Sequence, residues 1–266
     1  MKIAIVGAGV GGMAAAHDLV NAGHQVTIFE AADTVGGLAA GFKDAGWDWS
    51  VERYYHHWFT TDRDIFGLIG EIGQSDKIVI PNPKTVVYYN GRFHRLDSAL
   101  AALTFPGFTF PDMVRFGLVT AYLRYAARWQ SLEQYTAHEW MLRAYGQRLY
   151  ATHFEPLLIG KFGAHYKDVT MAWFWARFKA RTTRLATFQG GFQAFADLLA
   201  ESLKQRGVQL TVKTPIQEIT PLPDGKLEIR LPGGVEVFDR CLATVSPGLM
   251  ARMVPALSDP YLKGLL

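Results

Sequence analysis

The sequence has few of the features that indicate a disulfide-stabilised, membrane-spanning or nucleic-acid-binding protein. Its 266 residues include one cysteine, Cys241, so a disulfide within the chain is excluded and a reducing, cytoplasmic location is expected. The net charge is only +3, and no block of consecutive lysines or arginines predicts nucleic-acid binding. The longest candidate for a membrane span, residues 98–110, is too short and is interrupted by Pro106 and Gly107.

Motifs for catalysis by the protein's own side chains are also lacking. The sequence contains no G-x-S-x-G nucleophile motif, no P-loop and no carboxylate at ligand spacing from His56 and His57. Two adjacent histidines cannot share one face of a helix or strand, so we predict that no metal is bound. This absence fits an activity whose chemistry belongs to a bound organic cofactor.

The first 38 residues, in contrast, carry a dinucleotide-binding pattern. An apolar run at residues 3–6 predicts a strand, which stops at a glycine loop and is followed by a run of good helix formers. Gly7, Gly9 and Gly12 stand in G-x-G-x-x-G register. Gly7 permits the tight turn, Gly9 lets the backbone approach a pyrophosphate, and Gly12 lets the helix pack closely on the strand.

An acid follows the loop at the expected distance. A second apolar run, residues 25–29, ends on Glu30, which lies 18 residues after Gly12 and is placed to accept hydrogen bonds from a ribose hydroxyl. The acid disfavours a 2′-phosphate, so NADP is the least favoured ligand. A purely structural glycine turn is the alternative, but it explains neither the strand and helix around the loop nor the acid. The residues predicted to bind the dinucleotide here are Gly7, Ala8, Gly9, Val10, Gly11, Gly12, Glu30 and Ala31.

A glycine pair, Gly36 and Gly37, comes shortly after the acid. This order resembles the amine oxidase / protoporphyrinogen oxidase / phytoene desaturase superfamily of FAD enzymes. The string E-P-L-L-I-G-K-F-G, residues 155–163, resembles a bacterial branch of the same superfamily. The resemblance implies FAD as cofactor, held by the backbone of Gly36, Gly37 and Leu38. Many members have arginine at the position of Leu38, so that arginine contact is absent.

The resemblance also supplies candidates elsewhere in the chain. The aromatic segment that holds His56 and His57 passes beside the isoalloxazine ring in the superfamily, which makes both histidines catalytic candidates; a packed aromatic loop is the alternative. Lys161 is a candidate charge partner for the flavin or a substrate anion, unless it is a surface lysine after a helix. Ile216 is expected to contact the adenosine part through its backbone.

The predicted elements describe an α/β fold with interleaved domains. A Rossmann-like FAD-binding domain, with a parallel sheet and a β meander, is expected from residues 1–73 and 189–247. Residues 74–188 are expected to form an inserted, mostly helical α+β substrate domain. Residues 248–266 would begin a second passage through that domain, and the resemblance implies that the C-terminal part of complete members is absent.

The middle of the chain is rich in aromatic residues, and one helix there allows two interpretations. This helix, predicted over residues 111–129, carries Arg115, Arg124 and Arg128 among aromatic residues. It is either a lid or membrane-surface helix, or a domain helix with its aromatic stripe in the core. The core interpretation is favoured, so membrane-surface association is considered but not favoured.

Taken together, the resemblance implies an FAD-dependent oxidoreductase of the amine oxidase or desaturase type. It would transfer a hydride from a C–N or C–C bond of an organic, apolar small molecule to the flavin. Two alternatives remain open. One is an isomerase like the flavin-dependent sugar-nucleotide mutases, and the other is a truncated FAD-binding fragment without turnover.

Overall fold

The computed structural model divides the chain into two compact units. The described residues are 1–96, 101, 104–180, 182 and 184–265. Unit 1 comprises Met1–Trp58, Asp62–Val79 and Ala186–Leu266, and unit 2 comprises Phe59–Thr61 and Ile80–Leu185. These bounds describe how the chain packs, and the assignment of a cofactor domain and an inserted substrate domain remains a prediction.

Strands and helices alternate at the two ends of the chain, and helices dominate its middle. The strands are β1 (Lys2–Val6), β2 (Gln25–Phe29), β3 (Gly41–Phe42), β4 (Val51–Glu52), β5 (Trp58–Phe59), β6 (Ile78–Val79), β7 (Val86–Tyr89), β8 (Arg92–Arg95), β9 (Leu185–Phe188), β10 (Gln209–Thr211), β11 (Glu218–Pro221), β12 (Leu227–Leu231), β13 (Gly234–Phe238) and β14 (Arg240–Ala243). The described α-helices are α1 (Val10–Asn21), α2 (Arg63–Glu71), α3 (Phe110–Ala121), α4 (Trp129–Leu132), α5 (Ala137–Tyr145), α6 (Gln147–Leu149), α7 (Glu155–Phe162), α8 (Met171–Ala180), α9 (Phe192–Gln205), α10 (Pro247–Met253) and α11 (Asp259–Leu265).

A four-stranded parallel sheet, in the order β10-β2-β1-β14, forms the centre of unit 1. Strand β1 lies inside this sheet, with Ile5 opposite Ile28 of β2 on one side and Leu242 of β14 on the other. Strands buried on both faces are expected to be apolar throughout, as Ile3 to Val6 are. The predicted parallel sheet is therefore confirmed.

Alternating side chains of the sheet fill two separate cores. Ile5 and Ile28 face one core, which they share with α1 and α9, where Phe195 is fully buried. Val6 and its neighbours on the same face pack against the antiparallel meander β11-β12-β13 and α10, where Phe238 is buried. Successive side chains of a strand point to opposite faces of the sheet. Strand β1 therefore contributes Ile5 to one core and Val6 to the other.

In sequence, residues 41–49 alternate and turn as a short hairpin does, which predicts both strands within this range, but the second strand lies elsewhere. Gly41 pairs with Glu52 and Phe42 pairs with Val51, so the returning strand lies beyond the tryptophan-rich segment. Ser50 anchors this return, since its backbone N–H and its hydroxyl both donate to the carbonyl of Gly190. The alternation of residues 42–49 was therefore a property of an exposed loop and not of a strand.

Unit 2 is built mostly from helices around an aromatic core. Tyr145 and Phe154 are buried there with ring centroids 4.4 Å apart, and burial raises the pKa of Tyr145. Tyr150 shares a 2.6 Å hydrogen bond with His138, and burial together with the charge of Glu155 raises the pKa of Tyr150 to about 12.

The described helices of both units are too short or too polar to cross a bilayer.

The long helix predicted over residues 111–129 is wrong in extent and in burial. The α-helix ends at Ala121, and Tyr122–Ala126 continues it as a π-helical turn. Only one side of this segment reaches the core, where Leu123 is fully buried. Its other side exposes apolar side chains such as Leu118 and Tyr125. The prediction that the aromatic stripe of this helix lies in the core therefore holds for one side of the segment only.

Gly12 tests the close contact between α1 and the turn that precedes it. A Cβ at Gly12 would overlap the carbonyl oxygen of Gly7, whereas a Cβ at Gly11 would meet no atom within 4 Å. We expect Gly12→Ala to lower the free energy of unfolding by about 1–3 kcal/mol because the backbone must shift. Gly11→Ala, the matched control in the same helical turn, is expected to cause no comparable loss. Urea unfolding of both variants measures this difference, and equal stabilities would contradict the close contact.

Cys241 gives the fold a chemical probe within β14. Burial raises the pKa of its thiol to about 11, so the reactive thiolate is scarce in the native protein. We expect iodoacetamide at pH 8 to alkylate the native chain roughly 100-fold more slowly than the urea-unfolded chain, where the thiol has its ordinary pKa. As pH rises above about 9 the unfolded thiol ionises first, which makes this residue's contribution to stability decrease. Equal alkylation rates in the two states would show that Cys241 is accessible.

Candidate functional site

A cleft of about 780 Å³ in unit 1 gathers most of the residues that the sequence singled out. It lies where β1 and β2 end, and Val6 and Phe29 form part of its wall. In open α/β sheets, ligands bind outside the carboxyl ends of the strands in this manner. Eleven predicted site residues line the cleft: Gly7, Gly9, Val10, Gly11, Glu30, Ala31, Gly36, Gly37, Leu38, His56 and Ile216.

The glycine loop joins β1 to α1 at one wall of this cleft. Gly7 has φ of +100°, which favours glycine, and its N–H donates to the carbonyl of Phe29 over 2.8 Å. Gly9 is the N-cap of α1, so the first helical turn starts at the cleft. The N–H groups of a first turn have no partner inside the helix and favour an anion. Ala8 and Gly12 are buried behind this surface and shape it.

The glycine pair after β2 rests directly on the loop. The N–H of Gly36 donates to the carbonyl of Ala8 over 2.9 Å, and Gly9 and Gly36 form a parallel β-bridge. A Cβ at Gly37 would lie 3.0 Å from the Cα of Gly9. Both residues of the pair have positive φ, +114° and +58°. The pair therefore supports the glycine loop and is not an ordinary flexible turn.

Glu30 is held in place by backbone donors on both sides. One carboxylate oxygen accepts the N–H of Ala8 at 2.7 Å, and the other accepts the N–H of Ala32 at 2.8 Å. The backbone of Glu30 is also held. Its N–H donates to the carbonyl of Thr211, and its carbonyl accepts the N–H of Thr214. A carboxylate oxygen accepts more than one hydrogen bond, so both oxygens retain capacity for a hydroxyl donor.

Two further walls of the cleft contain residues that sequence reasoning missed. One is apolar and consists of Pro215, Leu249 and Met253 beside Ile216. The Ser246-Pro247 dipeptide was the available sequence signal for the start of α10, since proline is common in the first turn of a helix. The sequence did not show that α10 returns to the glycine loop.

The other wall is aromatic. Trp58 and Phe192 have ring centroids 4.5 Å apart, and the ring of His56 lies 5.8 Å from that of Phe192. Nδ1 of His56 lies 2.5 Å from the carbonyl oxygen of Tyr54, which fixes the orientation of the imidazole. Glu52 accepts the N–H of Phe192 at 3.0 Å and thereby anchors the start of α9 beside this wall.

The other two catalytic candidates lie outside the cleft lining. His57 is partly buried, and its ring packs 5.1 Å from that of Tyr55. Lys161 belongs to unit 2, where it is exposed and its ammonium lies 5.7 Å from the ring of Trp173. Among the described residues that line the cleft, Glu30 and His56 are the titratable ones. The cleft is thus equipped to bind and orient a ligand with an anionic part, a hydroxyl-bearing part and flat apolar parts.

Comparisons with known proteins agree with this geometry. The profile of the family described as "Flavin containing amine oxidoreductase" matches residues 10–264. A 15-cis-phytoene desaturase from Narcissus pseudonarcissus is 29% identical in an alignment of 165 positions that covers 54% of this chain and 28% of that protein. Cyclohexylamine oxidase from Brevibacterium oxydans superposes with a TM-score of 0.72 at 16% identity, covering 99% of this chain and 62% of that one.

A reduced UDP-galactopyranose mutase is equally similar in fold, with a TM-score of 0.74, 18% identity and coverage of 99% of this chain and 59% of that one. The chain spans only about three fifths of either solved structure and less than a third of the desaturase. The match to the family profile nevertheless extends over almost the entire chain. The predicted superfamily and its flavin cofactor are therefore confirmed, and the chain belongs to the flavin-containing amine oxidoreductase family.

Proposed function

We propose that unit 1 binds FAD in the cleft and that the chain is an FAD-dependent oxidoreductase of the amine oxidase or desaturase type that acts on an apolar organic substrate. The observation that carries this proposal is the assembly of glycine loop, fixed acid and glycine pair around one cavity. When bound, FAD accepts a hydride from a C–N or C–C bond of the substrate. Unit 2 is assigned to the substrate, and the single cysteine supports a cytoplasmic location.

The anionic and hydroxyl-bearing parts of FAD fit the loop side of the cleft. The pyrophosphate fits Gly7, Gly9 and the first turn of α1, where free N–H groups and the helix dipole favour negative charge. The adenosine ribose fits Glu30, whose carboxylate is already oriented by the N–H groups of Ala8 and Ala32. These fixed groups bind with little ordering cost, since the fold holds them in place beforehand.

The flat rings of FAD fit the apolar and the aromatic wall, of which the sequence predicted Ile216 and His56. The apolar wall at Ile216, Leu249 and Met253 offers a surface for adenine, and the aromatic wall at Trp58 and Phe192 offers a surface for the remainder. His56 is our candidate for a group that donates to or accepts from the isoalloxazine end. His57 and Lys161 remain candidates without a place in the cleft lining.

The comparisons favour the oxidoreductase over its alternatives. The desaturase relative, named for phytoene, supports an apolar substrate and a C–C bond as the site of oxidation. The similarity to the mutase, at 18% identity, shows a shared fold alone. The isomerase alternative therefore has no support beyond that fold. A flavin-binding chain without turnover is the second candidate, because the residues that line the cleft are equipped to bind and orient a ligand.

Flavin loading tests the proposal most directly. We expect the purified chain to retain or take up FAD, seen as flavin absorbance and as FAD mass in the released cofactor, because the cleft presents complementary groups to it. Anaerobic bleaching by a polyene or an amine would support the oxidoreductase. Tight UDP-sugar binding to the reduced flavin without net oxidation would favour the mutase. A chain that cannot be loaded with FAD would refute the proposed cofactor site.

Glu30 tests the assignment of the ribose. We expect Glu30→Ala to weaken FAD binding by roughly 1–3 kcal/mol, because ribose hydroxyls and the N–H of Ala8 lose their acceptor. Asp33→Ala is the matched control, since Asp33 is an exposed acid three residues away that does not line the cleft. Titration of both variants with FAD, alongside urea unfolding, separates binding from stability. Equal affinities of the two variants would count against Glu30.

A further inference from the structure

Glu52 places a carboxylate directly behind the aromatic wall of the cleft. It ends strand β4, where it pairs with Gly41 of β3, and it is half-buried. One of its carboxylate oxygens accepts the N–H of Phe192 over 3.0 Å. Phe192 lines the cleft and Glu52 does not, so the charge lies one residue behind the surface that a ligand touches.

A glycine at the start of α9 makes room for this carboxylate. Gly191 is the N-cap of α9, and its φ of +88° together with its missing side chain leaves the cap position without an acceptor of its own. A Cβ at Gly191 would lie 2.5 Å from Oγ of Ser50 and 3.4 Å from Oε1 of Glu52. Strand β4 therefore supplies, through Glu52, the acceptor that a capping side chain supplies in other helices.

The carboxylate meets the positive end of a long helix. The N–H groups in the first turn of α9 carry a partial positive charge, and that turn contains no acid of its own. Within the described part of the chain, no Lys, Arg or His lies at ion-pair distance from Glu52. Its negative charge is therefore offset by main-chain dipoles and not by a side-chain cation.

The backbone that Glu52 holds carries the central ring of the aromatic wall. The ring of Phe192, which is only 3% exposed, lies 4.5 Å from that of Trp58 and 5.8 Å from that of His56. Trp58 in turn packs against the ring of Phe195, one turn further along α9, at 5.4 Å. A flat ligand against this wall is thus separated from the charge of Glu52 by packed side chains and not by water.

We propose that Glu52 lowers the reduction potential of the bound flavin by keeping a negative charge behind the aromatic wall. Reduction adds electrons to the flavin ring, and a fixed negative charge nearby makes that addition less favourable. Packed side chains screen the two charges less than water does, which strengthens the effect. The inference rests on the proposed function, in which the aromatic wall and His56 face the isoalloxazine end of FAD.

Glu52→Gln separates the charge from the hydrogen bond. The amide oxygen of glutamine still accepts the N–H of Phe192, so the wall keeps its anchor while the negative charge is removed. At a fixed potential, we expect the ratio of reduced to oxidised flavin to be about tenfold higher in this variant, a shift of about +30 mV for a two-electron couple. Anaerobic reduction of the FAD-loaded full chain beside a reference dye of known potential measures this ratio.

Two further variants serve as controls. Glu201→Gln makes the same change of charge in α9, but Glu201 is exposed and does not line the cleft, so the flavin should keep the wild-type potential. Glu52→Asp keeps the charge, while its shorter side chain loses the contact with Phe192. We expect this variant to unfold at lower urea concentration than wild type and to keep a potential close to that of wild type.

Equal potentials of wild type and Glu52→Gln overturn the proposal, and so does a more negative potential of the variant. A shift of Glu52→Asp as large as that of Glu52→Gln assigns the effect to the hydrogen bond and overturns it too. Should Glu52→Gln fail to fold, Glu52→Asp decides, and a tenfold change of its ratio overturns the proposal. A wild-type chain that takes up no FAD refutes the proposed function itself, whereas a loaded chain whose potential is insensitive to Glu52 refutes this inference alone.

Discussion

Backbone packed against backbone, without an intervening Cβ, is the constraint on which unit 1 depends. Gly12 brings α1 onto the carbonyl of Gly7, and Gly37 brings the segment after β2 onto Gly9. Together these contacts form a cleft wall made of main-chain groups, to which Glu30 adds a carboxylate fixed by two N–H donors. A surface of this kind presents its dipoles in fixed directions, since main-chain groups within a packed turn have little freedom to rotate.

The sequence predicted those parts of unit 1 whose signals are short and local. The glycine register and the acid after β2 each depend on a few neighbouring residues, and the structure has the corresponding loop and a carboxylate fixed beside it. Trp58 and Leu249 could not be placed in the cleft in the same way. They reach it from distant parts of the chain, and no local pattern encodes which strand ends they meet.

The segment at residues 110–129 shows a different limit. Its composition is apolar on more than one side, so periodicity identifies a helix without showing which face is buried. Thr109 and Asp112 fix where the helix starts, yet the change to a π-helical turn at Tyr122 rotates the following residues relative to a regular α-helix. Only packing against the core of unit 2 decides that Leu123 is buried while Tyr125 is exposed.

The pairing of β1 with β14 has a consequence for how the chain comes to be folded. Ile3 lies opposite Arg240, so β1 obtains one of its two neighbours only after the 236 residues between these two positions have been made. Until then the nascent chain carries an apolar strand with an open edge, the kind of surface that pairs with other chains. Contacts of such long sequence separation also slow folding. Strand β1 of the parallel sheet is thus a part of this molecule that needs protection on the ribosome.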